Sequence, residues 1–428
     1  MTNKFDAIII GAGVVGCSIA LALSKRGLRT LNVDSLPAAG YGSTSHSSAI
    51  VRPIYSHTTS CAIAHECRFL WQSWPEVLGA EDERGFAKYT ECGGLILVKE
   101  GDEHLYEASL KAMSEVGVEY DILNAEDIQD LYPGISLDSY GPPRAMNHED
   151  FGLPTAGSIT SGILVPASGY VSDPQLASHN LQVAAESLGA TFAFNAPVNE
   201  IFQASGRVSG LNVENETYSA DIIISAAGPH STIINNLAGI QLKITTRPVR
   251  HEVVYLPATA RHFKKGSRFL VDMDSGVYQR PDGPDMLIGS TDPECDPMDI
   301  VDPDDHNTSF TEQWTLQAHR AAQRFPEMGI SNTARGTVGL YDVSDDWIPI
   351  YDKSDLPGYY LAIGTSGNQF KNAPLVGEIM SEIIMKDLDG NNHDTDPASL
   401  ELKHLKRSVG LEFYSRNRVV QATNSVMA

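Results

Sequence analysis

The opening of the chain, FDAIIIGAGVVGCSIALALSKRGLRTLNVDS, constrains the fold more than any other stretch. Ala7 to Ile10 form a short, wholly apolar run, as expected of a strand buried on both faces. Gly11, Gly13 and Gly16 follow at GxGxxG spacing, and Val15, Ile19, Ala22 and Leu23 then recur at helical intervals up to Gly27. Leu31 to Val33 read as a second strand, with Asp34 at its tip, 18 residues after Gly16. A strand, glycine turn, helix and acid-ended strand in this order predict a dinucleotide-binding βαβ unit. The backbone from Gly11 through Ala12, Gly13, Val14 and Val15 to Gly16 would approach a pyrophosphate at the helix N-terminus, while Asp34, with Ser35 beside it, accepts from ribose hydroxyls.

The remainder must be fitted around that unit. At 428 residues the chain exceeds the usual size of one core, so two domains are expected. With 31 basic against 54 acidic side chains the formal charge is −23, which repels nucleic-acid backbones and anionic lipid. Cys17, Cys61, Cys67, Cys92 and Cys295 show no CxxC spacing, which argues against a disulfide framework or structural zinc and for a reducing compartment. The apolar N-terminal run leads straight into glycines without a cleavage site, and no apolar run is long enough to span a bilayer. A cytoplasmic protein is expected. His57, His65 and His251 lack metal-ligand spacing and read as satisfied structural histidines, so no metal site is assigned.

Further along, helical spacing runs from about Cys61 to Trp74, and a helix is predicted from Asp173-Pro174 to Gly189. GGLILVKE and ATFAFNAPVNEIFQ read as strands, YSADIIISAAGPHSTIINNLAGI as strand, small-residue turn and helix. Alternating strand-like pieces fill roughly 245–345, and GYYLAIGTSGNQFKNAPLVGEIMSEIIMKDL closes the chain as strand, glycine turn and helix. The layout is discontinuous: a cofactor domain from 1–90, 150–245 and 335–428, with a sheet-rich domain from 91–149 and 246–334 inserted. The stretch Arg144 to Gly162, rich in glycine and small polar residues, is expected to be a long loop at the substrate entrance, a lid or partner contact, or else an irregular surface loop.

The order GAGVVG, Asp34, GSTSH, ISAAGPHS, GLYDVSDD and GTSGNQFKNAP resembles the FAD-dependent amine oxidoreductases of the D-amino-acid oxidase, glycine oxidase and sarcosine oxidase group. The resemblance covers nearly the whole chain. It implies an α/β fold, a glutathione-reductase-type FAD-binding Rossmann domain with an inserted antiparallel-sheet substrate domain. It further implies that Ser43, Thr44, His46 and Ser47, then Val198, Ala227, Gly228, Gly339, and Gly367, Asn368, Gln369 and Phe370 line the FAD. In dimethylglycine and sarcosine dehydrogenases a segment like Gly42-Ser43-Thr44-Ser45-His46 carries a histidine bonded covalently to the flavin. His46 is either that anchor or a histidine hydrogen-bonded near the flavin without attachment.

Monomeric sarcosine oxidases, which the chain also resembles, hold the substrate carboxylate with an arginine and a lysine that match Arg52, followed by Tyr55, and Lys371. The chemistry agrees: a planar guanidinium grips a carboxylate with two hydrogen bonds, an ammonium adds a point charge, and fixing the carboxylate aims one C–H bond. The alternatives are a structural salt bridge for Arg52 and exposure for Lys371. Tyr278 and Tyr341 match tyrosines of the family's pocket and could equally be core aromatics. A lysine of the oxidases aligns with Leu287, which points to a dehydrogenase, and the family's active-site histidine aligns with Thr291.

The implied activity is oxidation of the C–N bond of a small secondary or tertiary amino acid, of sarcosine or dimethylglycine type, by hydride transfer to flavin and hydrolysis of the imine. A D-amino-acid or cyclic imino-acid (proline or pipecolate) dehydrogenase is the alternative; an electron-transfer flavin subunit of a larger complex is one of another class. Expected partners are the amino acid, an electron acceptor or oxygen, and a homo-oligomer or hetero-complex, but no nucleic acid.

Overall fold

The computed structural model describes residues 3–214, 216–258 and 268–421. A six-stranded sheet runs in the order Ile350–Lys353, Tyr359–Ile363, Ile222–Ser225, Ala7–Ile10, Thr30–Val33, Thr191–Ala193. Its strands are parallel apart from the Ile350–Lys353 edge. Ala7 and Ile9 face one core and Ile8 and Ile10 another, which is why the strand is apolar throughout. Helices Val14–Lys25, Pro174–Ser187 and Ala373–Leu388 pack together on the first face. The first and last touch backbone to backbone: a Cβ on Gly377 would lie 2.1 Å from the Ser18 carbonyl oxygen. Ser18 Oγ donates to the Ala373 carbonyl at 2.6 Å and accepts from Gly377 N–H at 2.9 Å, locking the contact. An antiparallel layer of Val198–Ala204, Arg207–Val213 and Glu216–Ser219 closes the second face.

The second sheet has eight strands, in the order Gly336–Ser344, Thr246–Pro257, Asp285–Ser290, Val277–Asp282, Phe269–Asp272, Gly94–Lys99, Ile159–Val165, Asp121–Asn124. It is antiparallel except between Phe269–Asp272 and Gly94–Lys99. Alternation assigns its faces: Leu270 and Val277 join the core beneath helix Glu312–Arg324, while Phe269, Val271 and Tyr278 point the other way. The fold is therefore of the expected α/β class, a parallel Rossmann-type sheet with a largely antiparallel second sheet. No helix among the described residues is long and apolar enough to cross a membrane.

Local departures from the sequence reading have physical causes. The helix expected over Cys61 to Trp74 is two, Thr58–Gln72 and Trp74–Leu78, because Pro75 lacks an N–H and starts a new helix. Within Arg144 to Gly162, residues from Ile159 onward are strand, paired with Gly94–Lys99. The irregular part before it packs against Arg320 and Gln323 of helix Glu312–Arg324, the face turned away from Tyr278. Strands Ile159–Val165 and Gly336–Ser344 belong to the eight-stranded sheet, although both fall within 150–245 and 335–428. We accordingly propose domain boundaries that follow the sheets, near 165 and 345.

Candidate functional site

A cavity of about 490 Å³ opens where the glycine turn, the Ser43–His46 turn and strand Gly336–Ser344 meet. Gly11 has φ +111°, and a Cβ there would strike the Ala226 carbonyl oxygen at 2.3 Å, so only glycine fits. Gly13 begins the helix without a side-chain cap, and Thr44 Oγ1 accepts from Val14 N–H at 3.1 Å. Asp34 accepts from Ala12 N–H at 2.6 Å and Leu36 N–H at 2.8 Å; burial raises its carboxyl, and these two donors oppose that shift. Each oxygen retains a further lone pair, and Asp34 lines the cavity.

Gly11, Gly13, Val14, Val15, Asp34 and Ser35 line this space, as do Ser43, Thr44, His46 and Ser47, then Val198, Ala227, Gly228, Gly339, Gly367, Gln369 and Phe370. Three predicted cofactor residues do not. Ala12 is buried and turns its N–H to Asp34. Gly16 packs helix against turn, its Cβ position lying 2.0 Å from the Gly11 carbonyl oxygen. Asn368 lines a second cavity. Pro303, Asp304 and His306 also line the first cavity, with Asp304 2.9 Å from His230 Nε2. They come from a loop of the other sheet, so no local motif announces them.

His46 stands at the inner wall. A Cβ on Gly339 would lie 2.7 Å from His46 Cβ, so the absence of a side chain at 339 is what admits the histidine. Ser43 Oγ donates to the Leu340 carbonyl at 2.6 Å and fastens the turn to that strand. Burial lowers the His46 pKa, against a backbone hydrogen bond to Gly42 that raises it, keeping the imidazole neutral at neutral pH.

The second cavity, about 50 Å³, is bounded by Ile50, Arg52, Phe269, Val271, Tyr278, Asn368 and Lys371, and shares Ser47, Ser48, Tyr341, Gly367 and Phe370 with the first. Its lining holds two basic side chains and no carboxylate. Arg52 and Lys371 are 5% and 3% exposed. Arg52 donates to the Ile54 carbonyl and its guanidinium lies 4.7 Å from the Tyr55 ring centroid. Lys371 Nζ donates to Tyr55 Oη and the Asn368 carbonyl, 5.1 Å from the same ring. Burial first, and Arg52 second, hold the lysine far below its usual range. Each of the two would ionise more readily with an anion between them. Across the cavity Tyr278 Oη and Ser48 Oγ are 2.9 Å apart, and the Tyr278 and Tyr341 hydroxyls bond to each other. Sequence reasoning brought Arg52, Lys371, Tyr278 and Tyr341 to one place, and the structure has them around one cavity.

The predicted structural histidines fare differently. His57 packs on Phe413 and His65 on Phe69, but His65 Nδ1 and His251 Nε2 are buried without a hydrogen-bond partner among the described residues. His65 and His251 are therefore not the fully satisfied histidines expected. No group of three or more His, Cys, Asp or Glu stands close enough to hold a metal among the described residues.

A model of the family described as FAD dependent oxidoreductase matches residues 6–383, and the chain belongs to that family. The glycine-lined cavity at the start of helix Val14–Lys25, with Asp34 on its wall, suits FAD. Monomeric sarcosine oxidase of Bacillus sp. (strain B-0618) is 24% identical over 427 residues, covering 96% of this chain and 99% of that protein. Peroxisomal sarcosine oxidase of Homo sapiens is 25% identical over 402 residues, 90% and 93% of the two chains. Among solved structures, L-proline dehydrogenase from P. horikoshii superposes with a TM-score of 0.75 at 20% identity, over 97% of this chain and 98% of that one. The chain is thus an oxidoreductase of a family acting on amino acids.

Proposed function

We propose that this FAD-dependent oxidoreductase oxidises the C–N bond of a small N-methylated amino acid of the sarcosine or dimethylglycine type. The observation that carries the reading is the second cavity: two buried basic side chains, Arg52 and Lys371, in a lining without a carboxylate, next to the larger cavity that suits the cofactor. Bound FAD supplies the acceptor for two electrons. Arg52 and Lys371 hold the substrate carboxylate, which orients the rest of the molecule. Phe269, Val271 and Phe370 line the same cavity and keep water from the reacting carbon. The Arg52 guanidinium at the cavity also disfavours an ammonium, so the amine reacts in its neutral form. The sarcosine oxidase relatives support the N-methyl class.

An electron acceptor other than oxygen fits the apolar Leu287, which is 2% exposed on the cavity-facing side of its strand. Its cross-strand neighbour Arg280 is engaged by the Ser48 and Pro281 carbonyls and by Asp282. Anaerobic bleaching of the flavin by sarcosine, dimethylglycine, D-alanine, the proline isomers and pipecolate tests the substrate class. Sarcosine or dimethylglycine should bleach fastest, and faster bleaching by proline or D-alanine overturns the N-methyl assignment. Reduced enzyme should reoxidise more readily with an artificial dye than with air; rapid reoxidation in air rejects the dehydrogenase reading.

His46, neutral and against Gly339, also fits covalent attachment of the flavin. Acid precipitation should leave flavin in the wild-type pellet and release it from His46→Ala; flavin freely soluble from wild type rejects the bond.

A further inference from the structure

A loop that springs from the large sheet reaches the larger cavity, and one residue pins both of its ends. Arg250, 3% exposed on strand Thr246–Pro257, donates its backbone N–H to the Asp299 carbonyl at 2.8 Å. Its Nε donates to the Asn307 carbonyl and its Nη2 to the Ser309 carbonyl, both at 2.6 Å. Glu252 Oε1 holds the same guanidinium at 2.7 Å, and Val301 N–H donates to the Pro248 carbonyl at 3.1 Å. Between these anchors the chain leaves the sheet, and Pro303, Asp304 and His306 line the larger cavity. The tip meets the Rossmann side at His230, in the turn that follows strand Ile222–Ser225: Nε2 donates to Asp304 Oδ1 at 2.9 Å. Those two side chains are 37% and 75% exposed.

The tip touches two walls of the cavity. Burial raises the Asp34 carboxyl and nearby His230 opposes that; burial lowers the His46 imidazole and nearby His306 adds to it. The loop therefore runs from the neighbourhood of Asp34 to that of His46, across the place of the cofactor. His306 Nδ1 is buried without a hydrogen-bond partner among the described residues. A buried polar atom left unpaired is costly, so one that lines a cavity calls for a ligand atom there. The charge balance points the same way. No lysine or arginine lines this cavity among the described residues, and His46, His230 and His306 are its only side chains able to carry positive charge. FAD brings two phosphate groups, for which the start of helix Val14–Lys25 supplies N–H donors alone.

We propose that residues 299–309 form a strap over bound FAD, with the Asp304–His230 pair as its latch and His306 Nδ1 donating to a phosphate oxygen of the cofactor. Its parts differ in strength as a gate requires. The anchors are buried and charge-assisted, so the base of the strap stays on Arg250. The latch is an exposed pair, which contributes little and breaks readily. Opening then needs only the latch and the bond from His306 to give way, a local event that leaves both sheets intact. Because His306 grips a phosphate, the strap favours the dinucleotide over flavins that lack one. The inference rests on FAD occupying the larger cavity and is independent of the substrate.

The test is flavin exchange in the full chain carrying His46→Ala, in which no covalent bond at that residue holds the cofactor. FAD release is followed by the return of free-flavin fluorescence on dilution, and Kd for FAD and for riboflavin by titration of the FAD-free protein. Adding Asp304→Ala should speed FAD release roughly three- to fivefold. Adding His230→Ala as well should speed it no further, since the two side chains form one latch. His306→Ala should weaken FAD roughly ten- to a hundredfold and leave riboflavin, which has no phosphate, within about twofold. His306→Asn keeps a donor near the place of Nδ1 and should recover most of that loss. The FAD-free variants should melt with their parent. Unchanged FAD release in Asp304→Ala, equal losses of FAD and riboflavin in His306→Ala, or no recovery in His306→Asn overturns the proposal.

Discussion

Arg52 is the side chain on which the proposed substrate class depends most directly. Arg52→Lys keeps the charge but loses the two-pronged geometry, and a charge-assisted pair in a dry site is worth about 2–4 kcal/mol. We expect kcat/KM for the amino acid to drop roughly thirty- to a thousandfold. Flavin content and melting temperature should stay close to wild type; a melting loss with unchanged turnover would assign Arg52 to the fold. Gly13→Val tests the other cavity. A Cβ there already stands 3.3 Å from Thr44 Oγ1, and a branched side chain fills the place of a pyrophosphate. The purified variant should be colourless, and full yellow flavin content contradicts the assignment. These residues were legible in sequence because each sits in a short motif of fixed spacing. Pro303, Asp304 and His306 were not. They reach the larger cavity from a loop of the other sheet, and no local pattern encodes that.

At the scale of elements, helix Glu312–Arg324 is fixed beneath the large sheet by its last residue. Arg324 Nε donates to Asp272 at 2.7 Å and its NH2 to Asp274 at 3.0 Å, while NH1 serves the Ser136 and Asp138 carbonyls. Arg324 and Asp272 are 0% and 1% exposed in their side chains. Removing the cation strands two buried carboxylates, so Arg324→Leu should lose about 3–5 kcal/mol. Urea denaturation would measure it, and a loss below 1 kcal/mol would mean that the aspartates protonate or find water. Elements with capping signals were readable from the sequence: Asp173 accepts from Leu176 N–H and Pro174 opens helix Pro174–Ser187, as the Asp-Pro pair predicts. Strand order was not readable. Ile159–Val165 carries no mark saying that it pairs with Gly94–Lys99 and not with the Rossmann sheet, since pairing depends on partners distant in sequence.

Across the whole molecule, Asp342 ties the two sheets together. It sits on strand Gly336–Ser344 of the large sheet and accepts from Gly364 N–H at 2.6 Å and Ser231 Oγ at 3.2 Å, both just beyond strands of the Rossmann sheet. Burial pushes its carboxyl up to about 7 from 3.8. An unfolded aspartate releases its proton at the lower value, so the folded protein holds the proton more tightly between the two. Stability from this group is complete in acid and is lost as pH rises through about 7. Asp342→Asn cannot ionise. Its melting temperature relative to wild type should therefore climb by a few degrees between about pH 5 and pH 8. A constant difference across that range would mean that the wild-type carboxyl is already ionised at pH 5. The chain also returns to this junction at its end. Arg418 NH2 donates to Asp346 at 2.7 Å, and Arg416 engages Asp352, Asp355 and Asp394. Tyr414 packs on Tyr351, and the phenol of Tyr351 donates to Gln369 beside the cofactor cavity.

The close approach at Gly339 reaches beyond this one chain. The clash there is with the β-carbon of residue 46, so shortening the histidine does not relieve it. Any side chain at 339 must push the whole Ser43–His46 turn aside and break the Ser43–Leu340 bond. The two positions are consequently one inherited choice. Among related sequences, a bare glycine at the first and a histidine-ended turn at the second should be gained and lost together. A family tree in which they sort independently would show that the turn has another way to make room.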